Sequence, residues 1–209
     1  WSWSRGLGDV YKRQTSAGDV RRNALSDFTN VRANGKIAMD LPDNVTLVNA
    51  RIATQDDDVM LVTKSGRAIR FSTKAVRVFK GRKSTGVRGV RLTGDDCVVS
   101  MSILRHFEAS SDERAAYLKM RRAVAGMVDD EGACTEDEEV SANATISPER
   151  YAEMSAAENL ILTISSRGSG KLSSSHDYPV RGRGGMGVAA MDKAMRGGDL
   201  VASFPVDLE

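Results

Sequence analysis

The chain has 209 residues, of which 41% are apolar and 28% charged, with a formal net charge of +2. That size can bury one substantial core or two small ones, and the balance fits a soluble globular protein and not a disordered chain. No apolar run is long enough to cross a bilayer, and the first residues lack the basic start, apolar middle and small-residue cleavage site of a secretory signal.

Residues 1–14, WSWSRGLGDVYKRQ, hold both tryptophans and follow none of the periodicity downstream. They read as a non-native leader, with a disordered native tail as the other reading, and no function is assigned to them. From residue 15 the sequence repeats itself. A glycine-centred turn followed by a basic strand occurs as SAGDVRR (16–22), as KSGRAIRF (64–71) and as SRGSGKL (166–172). Strand-like runs precede the second and third turns, VMLVT at 59–63 and NLILTIS at 159–165. After each turn comes a polar stretch and a second glycine-rich element: RANGKIAM (32–39), STGVRGVRL (84–92) and GRGGMGVAAM (182–191). A short acidic turn and a last strand close each unit.

Four short strands per repeat is the economy of radially arranged sheets, so the expected fold class is all-β, a propeller-like or pinwheel array of blades forming a partial ring. The expected division is a partial blade over 15–58, a complete blade over 59–104 and a terminal blade over 159–207. Between them, 105–158 breaks the pattern. The Ser-Asp start of SDERAAYLKMRRAVAG predicts a helix ending at Gly126, and Ser147 followed by Pro148 marks the start of a second. The intervening VDDEGACTEDEEV has seven acidic residues and no basic one. It reads as a solvated loop, with competition against DNA for the basic surface as the alternative.

The chemistry lies in the connections. Between Lys64 and Arg91 there are ten basic residues and no acidic one, threaded through Gly66, Gly81, Gly86 and Gly89. Such a cluster repels itself until a polyanion neutralises it, and duplex DNA is the commonest one. Lys80, Arg82, Lys83, Arg88 and Arg91 sit among glycines whose freed amides can add anion-binding nests. Arg181, Arg183 and Lys171 repeat the arrangement in the last unit, as do Arg21, Arg22, Arg32 and Lys36 in the first. Phe71 and Phe79 fit anchoring of the loop better than base stacking, which argues against single-strand recognition. The single RGG element at 183–185 reads as a structured loop.

Catalytic chemistry is thin. His106 and His176 have no cysteine or carboxylate at metal-ligand spacing, Asp56, Asp57 and Asp58 read as an acidic turn, and Tyr178 lies in a repeat connection. No metal and no cofactor is expected. Cys97 reads as a small buried hydrophobe and Cys134 lies in the acidic stretch; two distant cysteines define no disulfide framework, so a reducing cytoplasm is the expected compartment.

The stretches FTNVRANGKIAM, DDDVMLVTKSGRAIRF, STGVRGVRL, SMSILRH, ERAAYL, GRGGMGV and GDLVASFPV resemble the C-terminal domain of the bacterial DNA gyrase A subunit. The resemblance covers roughly 15–207; the related domain of the topoisomerase IV A subunit is the less favoured match. It implies a pinwheel of six blades whose basic perimeter wraps duplex DNA into a right-handed loop, supporting ATP-dependent negative supercoiling by a type IIA topoisomerase. It further implies two partners in an A2B2 holoenzyme, the B subunit plus the rest of the A subunit, with ATP and Mg2+ used there and not by this chain. By similarity the DNA-facing positions are Arg22, Arg32 and Lys36; Arg70, Lys80, Arg82, Lys83, Arg88 and Arg91; and Lys171, Arg181 and Arg183. Two departures weaken the last unit, Met186 where relatives carry Gln and Leu172 where Arg is common. The QRRGGKG-like box of the first blade and the strand-cleaving core are absent from the sequence, so this chain alone is not expected to cut DNA. A propeller-type scaffold for protein or RNA partners is the alternative, and would show weakly salt-dependent binding.

Overall fold

The structure, a computed structural model, describes residues 10–28, 33, 35, 37–81, 84–126 and 145–207. In chain order the first unit supplies β1 (Val10–Thr15), β2 (Asp19–Ala24) and β3 (Leu47–Ala53). The second supplies β4 (Asp57–Thr63), β5 (Arg67–Ser72), β6 (Val87–Arg88) and β7 (Val98–Arg105). The third supplies β8 (Leu160–Ser165), β9 (Gly170–Ser174), β10 (Val188–Ala189) and β11 (Leu200–Val206). Gly18, Gly66 and Gly168 open the three equivalent hairpins with φ of 84°, 91° and 81°, a conformation that costs side-chain-bearing residues energy.

These strands form three antiparallel sheets, in the orders β3-β1-β2-β6, β10-β5-β4-β7 and β11-β8-β9. The short strand of each later unit therefore crosses to the sheet before it. Val87 pairs with Val20 and Arg88 with Asp19, while Val188 pairs with Ala68 and Ala189 with Arg67. A stretch such as 59–104 is consequently not one self-contained sheet, because its β6 completes the first sheet and its own edge is completed from the third unit.

Further expectations meet the structure as follows. Residues 10–15, all but the last read from the sequence as part of a leader, form an inner strand of the first sheet, paired on both sides. The described fold is mixed and not purely β: helices α1 (Ser111–Val124) and α2 (Pro148–Ala157) occupy the insertion where the caps predict them, and a four-residue helix that the sequence reading did not include, α3 (Lys193–Arg196), precedes β11. Cys97 is partly exposed, with its N–H on the Asp96 carboxylate, and not buried as its alternating context implied.

The sheets stack face to face, and β4 lies at the centre of the stack. Successive strand residues point to opposite faces, so Val59 and Leu61 join Val20, Ile69, Phe71 and Met101 on one side, while Met60 and Val62 join Ala68, Leu104, Ile161 and Leu200 on the other. This two-sided burial is why VMLV reads as an unbroken apolar run. Each such side chain contributes roughly 1.5–3 kcal/mol by leaving water.

The insertion closes on the third unit. Ser110 and Glu113 form a capping box at the start of α1, and Ser147 caps α2 with Pro148 at its first position. Arg150 joins α2 to α1 through Glu113 at 2.8 Å and is held within α2 by Glu153 at 2.9 Å. Tyr117 packs between Tyr151 and His176, with ring centroids 5.0 and 4.9 Å away, and His176 Nε2 lies 2.9 Å from the Met154 carbonyl.

Candidate nucleic-acid interface

The connection that follows β5 returns along the outer edge of β2. Phe79 N–H donates to Arg22 O and Gly89 N–H to Gly18 O, each at 2.8 Å. The connection after β9 does the same along β5, with Arg181 N–H on Arg70 O at 2.8 Å and Ala190 N–H on Gly66 O at 2.9 Å. Glycine is required where each crosses the sheet edge. A Cβ on Gly86 (φ 98°) would lie 2.4 Å from Val20 O, and one on Gly187 (φ 74°) would lie 2.3 Å from Ala68 O.

The two connections then meet. Gly184 N–H donates to Gly89 O at 2.7 Å, and Arg91 N–H to Gly185 O at 2.8 Å. Arg183 spans the seam, its Nη1 on Arg88 O and its Nε on Ala75 O, both at 3.0 Å. Of the positions expected to face DNA, Lys80, Arg88, Arg91, Arg181 and Arg183 are thus exposed on two basic segments joined by their backbones. Lys171 is exposed too, but it stands on β9, outside the joined segments. Arg32, Lys36, Arg82 and Lys83 lie outside the described residues.

Arg22 and Arg70 are corrections. Both are interior side chains, 5% and 4% exposed, and no phosphate can reach them. Arg22 Nη1 lies 3.3 Å from the carbonyls of Thr73 and Val76, tying the start of the connection to β2. Arg70 Nε meets Asp58 at 2.8 Å, and its two Nη atoms bond Ser175 O and Arg105 O. Asp58, wholly buried, also accepts His106 Nδ1 at 2.8 Å. Burial pulls Arg70 down from its ordinary value, and the Asp58 carboxylate opposes that shift. The reading of Asp56 to Asp58 as a plain acidic turn missed this internal role of Asp58.

Arg21, read from the sequence as one of the first unit's surface cations, is internal as well. Its side chain is buried against Phe79, whose ring centroid lies 5.0 Å from the guanidinium carbon, and it donates to Asn23 Oδ1 and to the carbonyls of Gly81 and Ser84. It holds the first connection in shape from beneath. The available signal was the spacing Arg21-x-Asn23, which places two polar side chains on one face of β2. Phe79 is the loop anchor its position implied, stacked also by Arg77 at 4.5 Å.

The described residues of the site supply exposed cations. Tyr178 is buried, and burial pushes its hydroxyl up to about 12, the reverse of what a nucleophile needs. Among the described residues no group of three histidine, cysteine, aspartate or glutamate side chains could hold a metal ion, and no helix is long and apolar enough to cross a membrane.

Stacked antiparallel sheets that exchange edge strands, with glycine-rich basic connections joined along one margin, define a propeller-like repeat domain. Residues 15–54, 57–105 and 159–204 match the family described as DNA gyrase C-terminal domain, beta-propeller, and the chain belongs to it. The insertion falls between the last two matched segments. The chain is 47% identical over 203 residues to the DNA gyrase A subunit of Granulibacter bethesdensis, covering 92% of this chain and 22% of that protein. It is 38% identical over 199 residues to that of Rickettsia bellii, covering 93% and 21%. It therefore spans about a fifth of these relatives. Its fold also resembles the crystal structure of the C-terminal domain of DNA topoisomerase IV, with TM-score 0.64, 17% identity, and 96% of this chain and 47% of that one covered.

Proposed function

We propose that the chain binds duplex DNA without marked sequence preference along the joined connections and bends it around them. The observation that carries this reading is the seam itself. The bonds from Gly184 to Gly89 and from Arg91 to Gly185 merge the basic segments of successive units into one track. Phosphate binding of this kind needs spaced cations and not a pocket. Bending the duplex so that it follows both segments carries an elastic cost of roughly 1–6 kcal/mol, which the added phosphate interactions offset.

Membership of the gyrase family extends the proposal to the larger assembly. There the domain wraps DNA beside the B subunit plus the remainder of the A subunit, supporting ATP-dependent negative supercoiling, with ATP and Mg2+ handled outside this chain. The decisive experiment titrates a random duplex by fluorescence anisotropy across salt concentrations. Affinity should fall with a log–log slope of about −0.9 per phosphate neutralised. Salt-independent binding would sink the proposal and favour a protein-binding scaffold.

A further inference from the structure

A cavity of about 480 Å³ opens where the insertion meets the joint between the second and third units, outside the seam. Arg70 reaches it from β5, His106 and Arg114 from the insertion, and Tyr178 and Arg181 from the third unit. His106 is fixed by its Nδ1 on the buried Asp58, 2.8 Å away, which leaves Nε2 on the side of Glu108. Arg114 stands close enough to Arg70 for its charge to add to the fall in the Arg70 pKa, which burial mainly causes and Asp58 opposes. Cationic groups thus converge here from three parts of the chain. Of the two carboxylates on the wall, Glu113 accepts from Arg150 Nε and Ser110 N–H, each at 2.8 Å, and Glu108 projects into solvent, its side chain 94% exposed.

Register separates this joint from the other. Val78 bridges Arg22 in the first joint and Val180 bridges Arg70 in the second, both in parallel sense. The residues that follow are therefore equivalent, and each donates its N–H to that arginine's carbonyl at 2.8 Å, Phe79 in the first joint and Arg181 in the second. Phe79 is a buried anchor, whereas Arg181 is exposed. A cation takes the place of the apolar anchor in the joint that the insertion borders, and α1 adds Arg114 beside it.

Granted duplex binding along the track, on which this inference rests, we propose that the cavity receives a backbone phosphate held between Arg181 and Arg114, making the insertion part of the DNA-binding surface. Arg181 lies two residues from Arg183, the bridging residue of the seam, at most about 7 Å along the chain. The cavity therefore continues the track. Its volume accommodates a phosphate group with bridging waters, each taking about 30 Å³. Two guanidinium groups on one cavity supply charge-assisted bonds to the phosphate oxygens. Arg70 stays behind them, its N–H groups given to Asp58, Ser175 O and Arg105 O.

Anisotropy titrations of a random duplex against the 209-residue chain, at several salt concentrations, test this. Arg114→Gln should weaken binding about five- to tenfold near 0.1 M salt and reduce the salt slope by up to about 0.9. Lys119→Gln, on the same helix but exposed and off the cavity wall, should change affinity less than about twofold. Ala109→Glu sets a carboxylate on the wall with Arg114 still in place, and should weaken binding as much as Arg114→Gln, with folding of each variant checked by circular dichroism. Equal effects of Arg114→Gln and Lys119→Gln, in a chain whose parent binding is steeply salt-dependent, would overturn the cavity as a phosphate site and leave the duplex reading standing. Salt-independent binding by the parent would overturn both. Inorganic phosphate that shifts the His106 ring resonances, where duplex DNA leaves them unmoved, would assign the cavity to a free anion and overturn the backbone phosphate as its occupant.

Discussion

Removing the Arg70 guanidinium would strand Asp58, which is wholly buried and would keep His106 Nδ1 as its hydrogen-bond partner. Breaking a buried pair on one side costs about 3–5 kcal/mol. Arg70→Met should therefore lower unfolding stability by that amount in urea titrations and leave the DNA affinity of the folded fraction unchanged. Substituting Lys80, Arg88 and Arg91 together by glutamine should do the reverse, because these side chains are exposed. The expected cost in stability is within about 0.5 kcal/mol per site, and the salt slope should shrink by up to about 0.9 for each phosphate no longer neutralised. Equal losses of affinity from the two variants would place the binding face elsewhere. Charge alone made Arg22 and Arg70 look like the other cations in the sequence. What separates them is acceptors supplied from far along the chain, the carbonyls of Thr73 and Val76 for one and of Arg105 and Ser175 for the other. No local pattern contains that information.

At the scale of elements, the insertion is held to the third unit by His176, whose ring is buried between Tyr117 and Phe107. Burial is the main reason its pKa falls below the ordinary 6.5, and the Met154 carbonyl partly opposes it. The folded state thus disfavours the imidazolium, so the unfolded chain takes up the extra proton as pH drops through 6.5. The stability owed to neutral His176 is complete above that value and declines below it. Asp177 acts in the opposite sense, since burial holds it above 3.8 and its protonation favours the folded state. Thermal melts from pH 8 to 5 should show a smaller acid-side loss for His176→Gln than for the parent chain, with Asp177 common to both. The helices and hairpins of this region were legible, because Ser147-Pro148 and the glycine turns are local signals. The destination of β6 and β10 was not. A two-residue strand after a glycine declares its conformation but not its partner, and here the partner belongs to the preceding unit. Gly187→Ala tests the crossing directly. The new methyl would collide with Ala68 O, so the substitution should detach β10 and lower both stability and DNA affinity, whereas Gly182→Ala, with open space around it, should do neither.

For the whole molecule, the proposal that the chain bends DNA around the joined connections predicts curvature with a fixed hand and not mere coating. Closed circular DNA relaxed in the presence of the chain should show a small positive-handed shift in topoisomer distribution, resolved on gels at rising protein-to-DNA ratio. Saturated binding with no shift would confine the chain to a flat electrostatic role. The backward donation of strands has a different consequence, in time and not in space. A ribosome delivers the chain from its N-terminal end at roughly 5–20 residues per second. The first sheet has its own three strands once Ala53 has emerged, but its edge stays open until Val87 and Arg88 follow. The second sheet waits longer, from Arg105 to Val188, with the whole insertion to be made in between. That delay lasts on the order of several seconds at the same rate, during which the edge of β5 is bare and able to pair with any neighbouring nascent strand. In birth order, then, the first two units of this protein are each finished by the one that follows.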